Sequence, residues 1–319
     1  MSHRRGILLA NMGGPPDLAG VKPFLNSILS DPFILGMPTI FRIPLSRLIV
    51  NLRLKKVISR YKLIGSGSPL TKWSDLFVKE LRNELDQNDY TDVAIDYTFR
   101  YCPPTIEESL NKFKSAGIDE VILFPLFPHY TRAMTGSISA LAQVQCKELR
   151  ICLREIPSWG LDRDLIALQM SYLEVALNEA GPEARVLFVA HGIPLSEIQR
   201  GDRYKIEVEK TAKSLAERLP EGVECSLAYS SRLGPMKWLE PYLEDELKRL
   251  GGSPRPLIIM QLSFVFDCLE TLYDLDIVAV KSAREMEIEK VIRVPSFNDD
   301  PRFVKIIAKI VREALDASA

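Results

Sequence analysis

A single histidine and a file of acids are the side chains most able to do chemistry in this 319-residue sequence, which has only three histidines. His3 sits at the terminus, and His129, in the loop Pro-His-Tyr, reads as structural or surface. His191 closes the apolar run RVLFVAH and is followed by Gly192, whose missing side chain permits a tight turn and close approach of backbone to a ligand. A neutral imidazole there can accept a proton near neutral pH or ligate a transition metal. Position alone weighs this evenly against a satisfied structural histidine. The acids lie in SFVFDCLETLYDLDI, residues 263–277, where Asp267, Glu270 and Asp274 stand three and four apart, the spacing of one helix face. Such a stripe is ordinarily a solvated face. Here it follows a buried-looking strand and is flanked by Phe264, Phe266 and Leu269. Carboxylate oxygens at the mouth of a cleft suit capture of a divalent cation.

The elements that position these groups are legible as short apolar runs alternating with helical periodicity, the pattern of an α/β protein with parallel sheets. Strands are predicted over 6–12, 93–99, 120–127, 153–157, 185–191, 224–230, 256–264 and 290–296. Helices are predicted over 105–117 and 202–219, the latter with an apolar stripe of Ile206, Val208, Ala212, Leu215 and Leu219. A last helix starts near Asp300–Pro301 and buries Phe303, Ile306, Ile307 and Ile310. The strands fall into two sets resembling a degenerate duplication. GILLANMGGPP aligns with RVLFVAHGIPL, setting Met12 opposite His191 and Gly13 opposite Gly192. The expected architecture is therefore two similar Rossmann-like halves, each a parallel sheet flanked by helices, with a ligand cleft between them at the carboxyl ends of their strands. The first half is read as 1–157, with the helix 300–319 packing back on it, and the second as 158–299.

Bulk properties exclude several classes. Apolar residues make up 46% and charged residues 26%, the balance of a globular protein, and the formal charge of −1 provides no drive toward nucleic acid. The five cysteines, Cys102, Cys146, Cys152, Cys225 and Cys268, include no close pair, so they read as reduced thiols of a cytoplasmic protein rather than a disulfide or zinc framework. The apolar run Ile7–Ala10 is too short for a signal-peptide core, and no stretch approaches a spanning helix.

The motifs as a set resemble the ferrochelatases. FVAHGIP followed by GDRY is similar to the first signature of that family, and the Asp-x-x-Glu-Thr-Leu core of SFVFDCLETLYDLDI to the second. YKLIGSGSPLTKW, LLANMGGPP, FRYCPPTIEE, HYTRAMTGS and YSSRLGPMKWLEPY match in the family's order, so the resemblance covers nearly the whole chain. There are departures. Phe266 stands where the family usually has serine, Gly65-Ser66-Gly67 replaces three glycines, Cys268 occupies a position that is histidine in some members and cysteine in others, and Val278 stands where many members carry another acid at the outer end of the file.

The resemblance implies a chelatase-type fold and insertion of ferrous iron into a porphyrin, with His191 and Glu270 as the catalytic, metal-handling pair and Asp267 and Asp274 as relay or supporting groups. Whether His191 acts as base or as ligand stays open. Porphyrin metallation needs a flat apolar slot, donors for the propionates, acceptors for two pyrrole protons and a group that strips water from iron. Met12, Tyr61, Tyr101, Trp238 and Phe264 are candidates for the slot, with ordinary core packing as the alternative; Tyr61, Ser68 and Arg100 are candidate donors. Porphyrin and ferrous iron are the expected partners, and no tightly bound cofactor or iron–sulfur cluster is expected. Protoporphyrin IX is favoured as substrate over coproporphyrin III by the Cys-Leu-Glu-Thr-Leu wording. A non-catalytic binding protein for haem or another tetrapyrrole, and a chelatase for cobalt or for a more carboxylated tetrapyrrole, are the competing readings. Residues 33–56 mix apolar side chains with Arg42, Arg47, Arg53, Lys55 and Lys56, which suits either peripheral contact with a membrane or a buried helix with a basic outer side; the resemblance implies that this stretch is a lip of the active-site mouth.

Overall fold

A computed structural model describes residues 4–317 apart from 233 and 235, so His3 lies outside the described residues. The chain divides into two compact units, one of Met1–Leu126, Thr131–Pro157 and Asn298–Ala319, the other of Phe127–Tyr130 and Ser158–Phe297. The first holds β1 (Arg5–Asn11), α1 (Val21–Leu29), α2 (Thr39–Leu63), α3 (Leu70–Asp86), β2 (Ala94–Phe99), α4 (Ile106–Ser115), β3 (Glu120–Pro125), a π-helical turn (Arg132–Gly136), α5 (Ser137–Leu149) and β4 (Cys152–Glu155). The second holds α6 (Arg163–Ala180), β5 (Arg185–His191), α7 (Leu195–Gln199), α8 (Tyr204–Ala216), β6 (Cys225–Ser230), α9 (Leu243–Leu250), β7 (Leu257–Gln261), a π-helix (Glu270–Ala279), α10 (Val280–Glu285) and β8 (Val291–Arg293). Helix α11 (Pro301–Asp316) belongs to the first unit, where its Phe303 ring lies 5.3 Å from that of Phe77 on α3.

Each unit carries a four-stranded, all-parallel sheet, ordered β2-β1-β3-β4 in one and β6-β5-β7-β8 in the other. The central strands are buried on both faces, which is why they read as unbroken apolar runs. In the second unit Val186, Phe188 and Ala190 pack with residues of α6 and α8, while Leu187 and Val189 pack with residues of α9, the π-helix and α10. Alternate side chains of one strand thus anchor helices on opposite faces.

The internal duplication holds at the level of register. Ile7 pairs with Ile95 and Ile122, and Val186 pairs with Cys225 and Ile258; five residues further on come Met12 and His191. In both units a proline follows a cis peptide bond just before the helix after the second strand, at Pro104 and Pro241, and its carbonyl accepts from the N–H of Phe99 or Tyr229. A π-helical segment follows the third strand in both.

Local signals explain the helix starts. Thr105 and Glu108 form a complete capping box on α4, Asp162 caps α6, and Asp300 with Pro301 opens α11. Two predicted stripes shift. Ile206 is 54% exposed, and the buried line of α8 runs through Tyr204, Val208, Ala212 and Leu215. Ile310 is half-buried, whereas Val304, Ala308, Val311 and Leu315 complete the buried face of α11. Strand β7 stops at Gln261, so Ser263 and Phe264 belong to the loop beyond it.

Candidate active site

The carboxyl end of β5 presents His191, half-buried, in parallel register with Ser230 of β6. Gly192 is required there, because a Cβ would stand 2.6 Å from the Ser230 carbonyl oxygen. The ring of His191 meets that of Phe264 edge-on, with centroids 5.7 Å apart, and its buried Nδ1 has no hydrogen-bond partner. Burial holds the imidazole below the ordinary histidine value, against the opposing pull of the Asp274 carboxylate. The result is a ring kept toward its neutral form, with one nitrogen not spent on a hydrogen bond.

The acids are arranged differently from the predicted single helix face. Glu270 opens the π-helix and Asp274 follows on it, but Asp267 lies in the loop before the helix. Asp267 Oδ1 accepts from Thr271 Oγ1 at 3.0 Å and Ser296 Oγ at 2.8 Å, and pairs with Arg293 at 3.3 Å. Arg293 also forks onto Asp276 at 2.5 and 2.8 Å. Asp267 thereby ties the start of the π-helix to the end of β8. Asp274 accepts from Ser231 Oγ at 3.3 Å. Burial, reinforced by the Glu270 charge, holds the Cys268 thiol well above the ordinary thiol range, and it hydrogen-bonds that carboxylate. Phe266 is fully buried. Among the described residues no three His, Cys, Asp or Glu side chains converge as a metal-ligand cluster.

His129 belongs to the interior. Its Nε2 lies 2.9 Å from Thr211 Oγ1, whose hydroxyl donates to the Gly160 carbonyl, so Nε2 carries the proton. Burial lowers its pKa to about 3.

In the first unit the equivalent strand end presents Met12, half-buried, with Arg100 and Tyr101 just beyond β2. Arg100 is committed on one side: it pairs with Asp31 Oδ2 at 2.7 Å and donates from Nε to Ser137 Oγ at 2.7 Å. The same carboxylate oxygen accepts from Tyr101 Oη at 3.0 Å and Ser137 Oγ at 2.5 Å, while Oδ1 takes the Phe33 N–H at 2.7 Å. The Asp31 side chain is fully buried, and Arg100 keeps 19% of its side chain exposed. Tyr61 and Tyr101 are each only 4% exposed. Ser68 is half-buried in a loop laid tightly over residues 13–16: its N–H donates to the Pro15 carbonyl, and a Cβ on Gly67 would stand 2.2 Å from the Pro16 oxygen. Asp31, Ser137 and Ser263 carry no sequence signal, since a buried carboxylate in Ser-Asp-Pro and lone serines look like ordinary loop residues.

Helix α2 occupies most of 33–56. Ile40, Phe41, Leu48 and Leu52 are 74%, 66%, 56% and 75% exposed, so the buried-helix reading of this stretch does not hold. Among the described residues no helix is long and apolar enough to cross a membrane.

Comparison with known proteins gives a consistent result. The family described as Ferrochelatase matches residues 4–315. A ferrochelatase of Rippkaea orientalis is 35% identical over 98% of this chain and 83% of its own length. One from Geotalea daltonii is 34% identical over 98% of both chains. Among solved structures, SirB from Bacillus subtilis with Fe3+ has a TM-score of 0.58 at 14% identity, covering 97% of this chain and 95% of its own. A multi-domain protein of Deinococcus radiodurans with structural similarity to chelatases has a TM-score of 0.52 at 10% identity, covering 97% and 55%. These two likenesses concern the fold alone.

Proposed function

Because the chain belongs to the ferrochelatase family, we propose that it inserts ferrous iron into protoporphyrin IX to give protohaem, with release of the two pyrrole protons. The observation that carries the mechanism is the neutral His191 ring with its unpartnered Nδ1. An imidazole that is uncharged and unspent can receive a pyrrole proton or take a coordination position on incoming iron without first breaking a hydrogen bond. Glu270 is assigned as its partner for protons or metal. Asp274 is the outer carboxylate of the metal route, and Asp267 supports the pair by fixing the start of the π-helix. Cys268, held as a thiol, donates to Glu270 and moderates its basicity.

For the porphyrin, Met12, Trp238 and Phe264 are assigned apolar contact, being half-buried. Arg100 and Ser68 are assigned as propionate donors, while Tyr61 and Tyr101 back them from less accessible positions. The exposed apolar residues of α2, set among exposed Arg47, Lys55 and Lys56, suit peripheral contact with an anionic membrane surface at the cytoplasmic face.

Anaerobic incubation of the protein with ferrous iron and, separately, protoporphyrin IX or coproporphyrin III tests this reading. Loss of the free-base visible bands with protoporphyrin is expected, and preferential loss with coproporphyrin would reassign the substrate. His191→Ala and Glu270→Gln should bind protoporphyrin within a few-fold of wild type and lose ~10²–10⁴ in insertion rate. Robust insertion by His191→Ala would overturn the mechanism; tight haem binding with no metallation by wild type would make the protein a carrier.

A further inference from the structure

The last rungs between β7 and β5 are unusual. The Leu262 N–H donates to the Val189 carbonyl, and in a continuing parallel ladder the His191 N–H would next find a main-chain carbonyl of the β7 segment. It donates instead to Ser263 Oγ, at 2.9 Å. That hydroxyl lies 2.6 Å from Tyr204 Oη, and Ser263 and Tyr204 are 7% and 3% exposed.

Tyr204 is itself fixed. Its N–H donates to Asp202 Oδ1 at 2.9 Å, and the Asp202 N–H donates to the Glu197 carbonyl at 3.1 Å, so the Gly-Asp-Arg-Tyr turn sets the first residue of α8. The His129 ring packs edge-on against Tyr204 with centroids 6.1 Å apart, and His129 is held by Thr211, further along α8. At the equivalent strand end of the first unit, the Met12 N–H is taken by the side chain of the preceding residue, Asn11 Oδ1, at 2.7 Å. Only the histidine-bearing unit reaches across to other elements for this bond.

We infer that Tyr204 and Ser263 are positioning residues for the metallation step: their paired hydroxyls hold the main chain of His191 and so fix where its imidazole points. This rests on the reading of His191 as the group that acts on the metal or the pyrrole protons. With Nδ1 unpartnered, the imidazole takes its direction from the main chain beneath it and from the Phe264 ring. Reacting groups displaced by about 1 Å can lose ~10²-fold in rate. The hydroxyl pair therefore acts on turnover rather than on affinity.

Ser263→Ala and Tyr204→Phe test this in the full chain. Each should lower kcat about tenfold while protoporphyrin IX affinity, by fluorescence titration, stays within about twofold. Ser263→Thr, which keeps the hydroxyl, should recover most of the rate. In a His191→Ala background neither change should lower the residual rate further, as expected for residues acting through one group. Wild-type kcat in both single variants, or the same fold loss with and without His191, would overturn the inference. The anchor is also read without turnover, by amide hydrogen exchange. Ser263→Ala should speed exchange at His191 about tenfold while leaving Val189 unchanged, and unaltered exchange at His191 would equally sink the proposal. A His191→Ala variant that metallates normally, beside faster exchange in Ser263→Ala, would instead refute the role of the histidine and leave its anchor standing.

Discussion

Replacing Asp31 with asparagine should be among the most damaging isosteric changes in the first unit. Three donors converge on Oδ2, from Arg100, Ser137 and Tyr101, at 2.7, 2.5 and 3.0 Å, and a fourth, the Phe33 N–H, meets Oδ1 at 2.7 Å. An asparagine must point its NH2 at one set or the other, so either orientation opposes donors to a donor. It also strands the Arg100 guanidinium. Removing one member of a buried ion pair costs ~3–5 kcal/mol; because Arg100 is 19% exposed, water recovers part, and the lower end, about 3 kcal/mol, is expected. Arg100→Gln should cost a similar amount, leaving a fully buried carboxylate with only neutral donors. The two changes together should then fall short of the sum by about 2 kcal/mol, since the double variant carries no stranded charge. Urea unfolding followed by tryptophan fluorescence and by circular dichroism reads all three variants. Because the chain has two compact units, the comparison is made on the transition that Asp31→Asn shifts. Single costs within about 0.5 kcal/mol of zero, or strict additivity, would refute the reading of this cluster as a coupled ion pair.

Asp274→Asn should raise the ferrous iron concentration needed for half-maximal insertion while protoporphyrin affinity stays at the wild-type level, because Val278 offers no further acid along the route; an unchanged iron dependence would remove Asp274 from it. Replacing Ile40 and Phe41 with serine should weaken co-sedimentation with anionic vesicles, and equal binding by both proteins would show that α2 does not carry membrane contact. His129, held neutral by burial with a pKa of about 3, takes up its proton more readily when unfolded, near the ordinary value of ~6.5. Its contribution to stability is thus whole above that value and declines by up to about 1.4 kcal/mol per pH unit as the pH falls toward 3. The stability gap between wild type and His129→Gln should accordingly narrow from pH 7 to pH 5, and a constant gap would contradict the assignment.

The strands were legible because parallel strands covered on both faces must be apolar at every position, and β1, β5 and β7 leave that mark. The same mark misleads at the end of β7. Leu262 and Ser263 are as buried as the strand before them, and hydrophobicity reports burial, not whether the chain has left the sheet. In the acid file, spacing alone put Asp267 on a helix. Its place in the loop is set by Ser296 and Arg293, partners distant in sequence that no periodicity records. Ile206 lies off the buried stripe for a related reason: that stripe of α8 begins with Tyr204, an aromatic whose hydroxyl is spent on Ser263 rather than on solvent. Asp31 left no trace because its four donors come from four separate positions.

What differs between the halves is more informative than what they share. Strand order, register and the cis-proline turn are repeated, so the scaffold fixes only where a strand ends and which residue stands there. At the first end that residue is Met12, with Arg100 on a buried carboxylate just beyond the adjoining strand; at the second it is His191, whose imidazole feels the Asp274 carboxylate of the π-helix. An apolar thioether and a guanidinium suit a macrocycle with carboxylate arms, whereas a neutral imidazole and carboxylates suit a metal dication and the protons it displaces. Two halves alike in strand order and register but unlike in the residues at their strand ends keep one scaffold while the chemistry-bearing side chains are unequally shared between them.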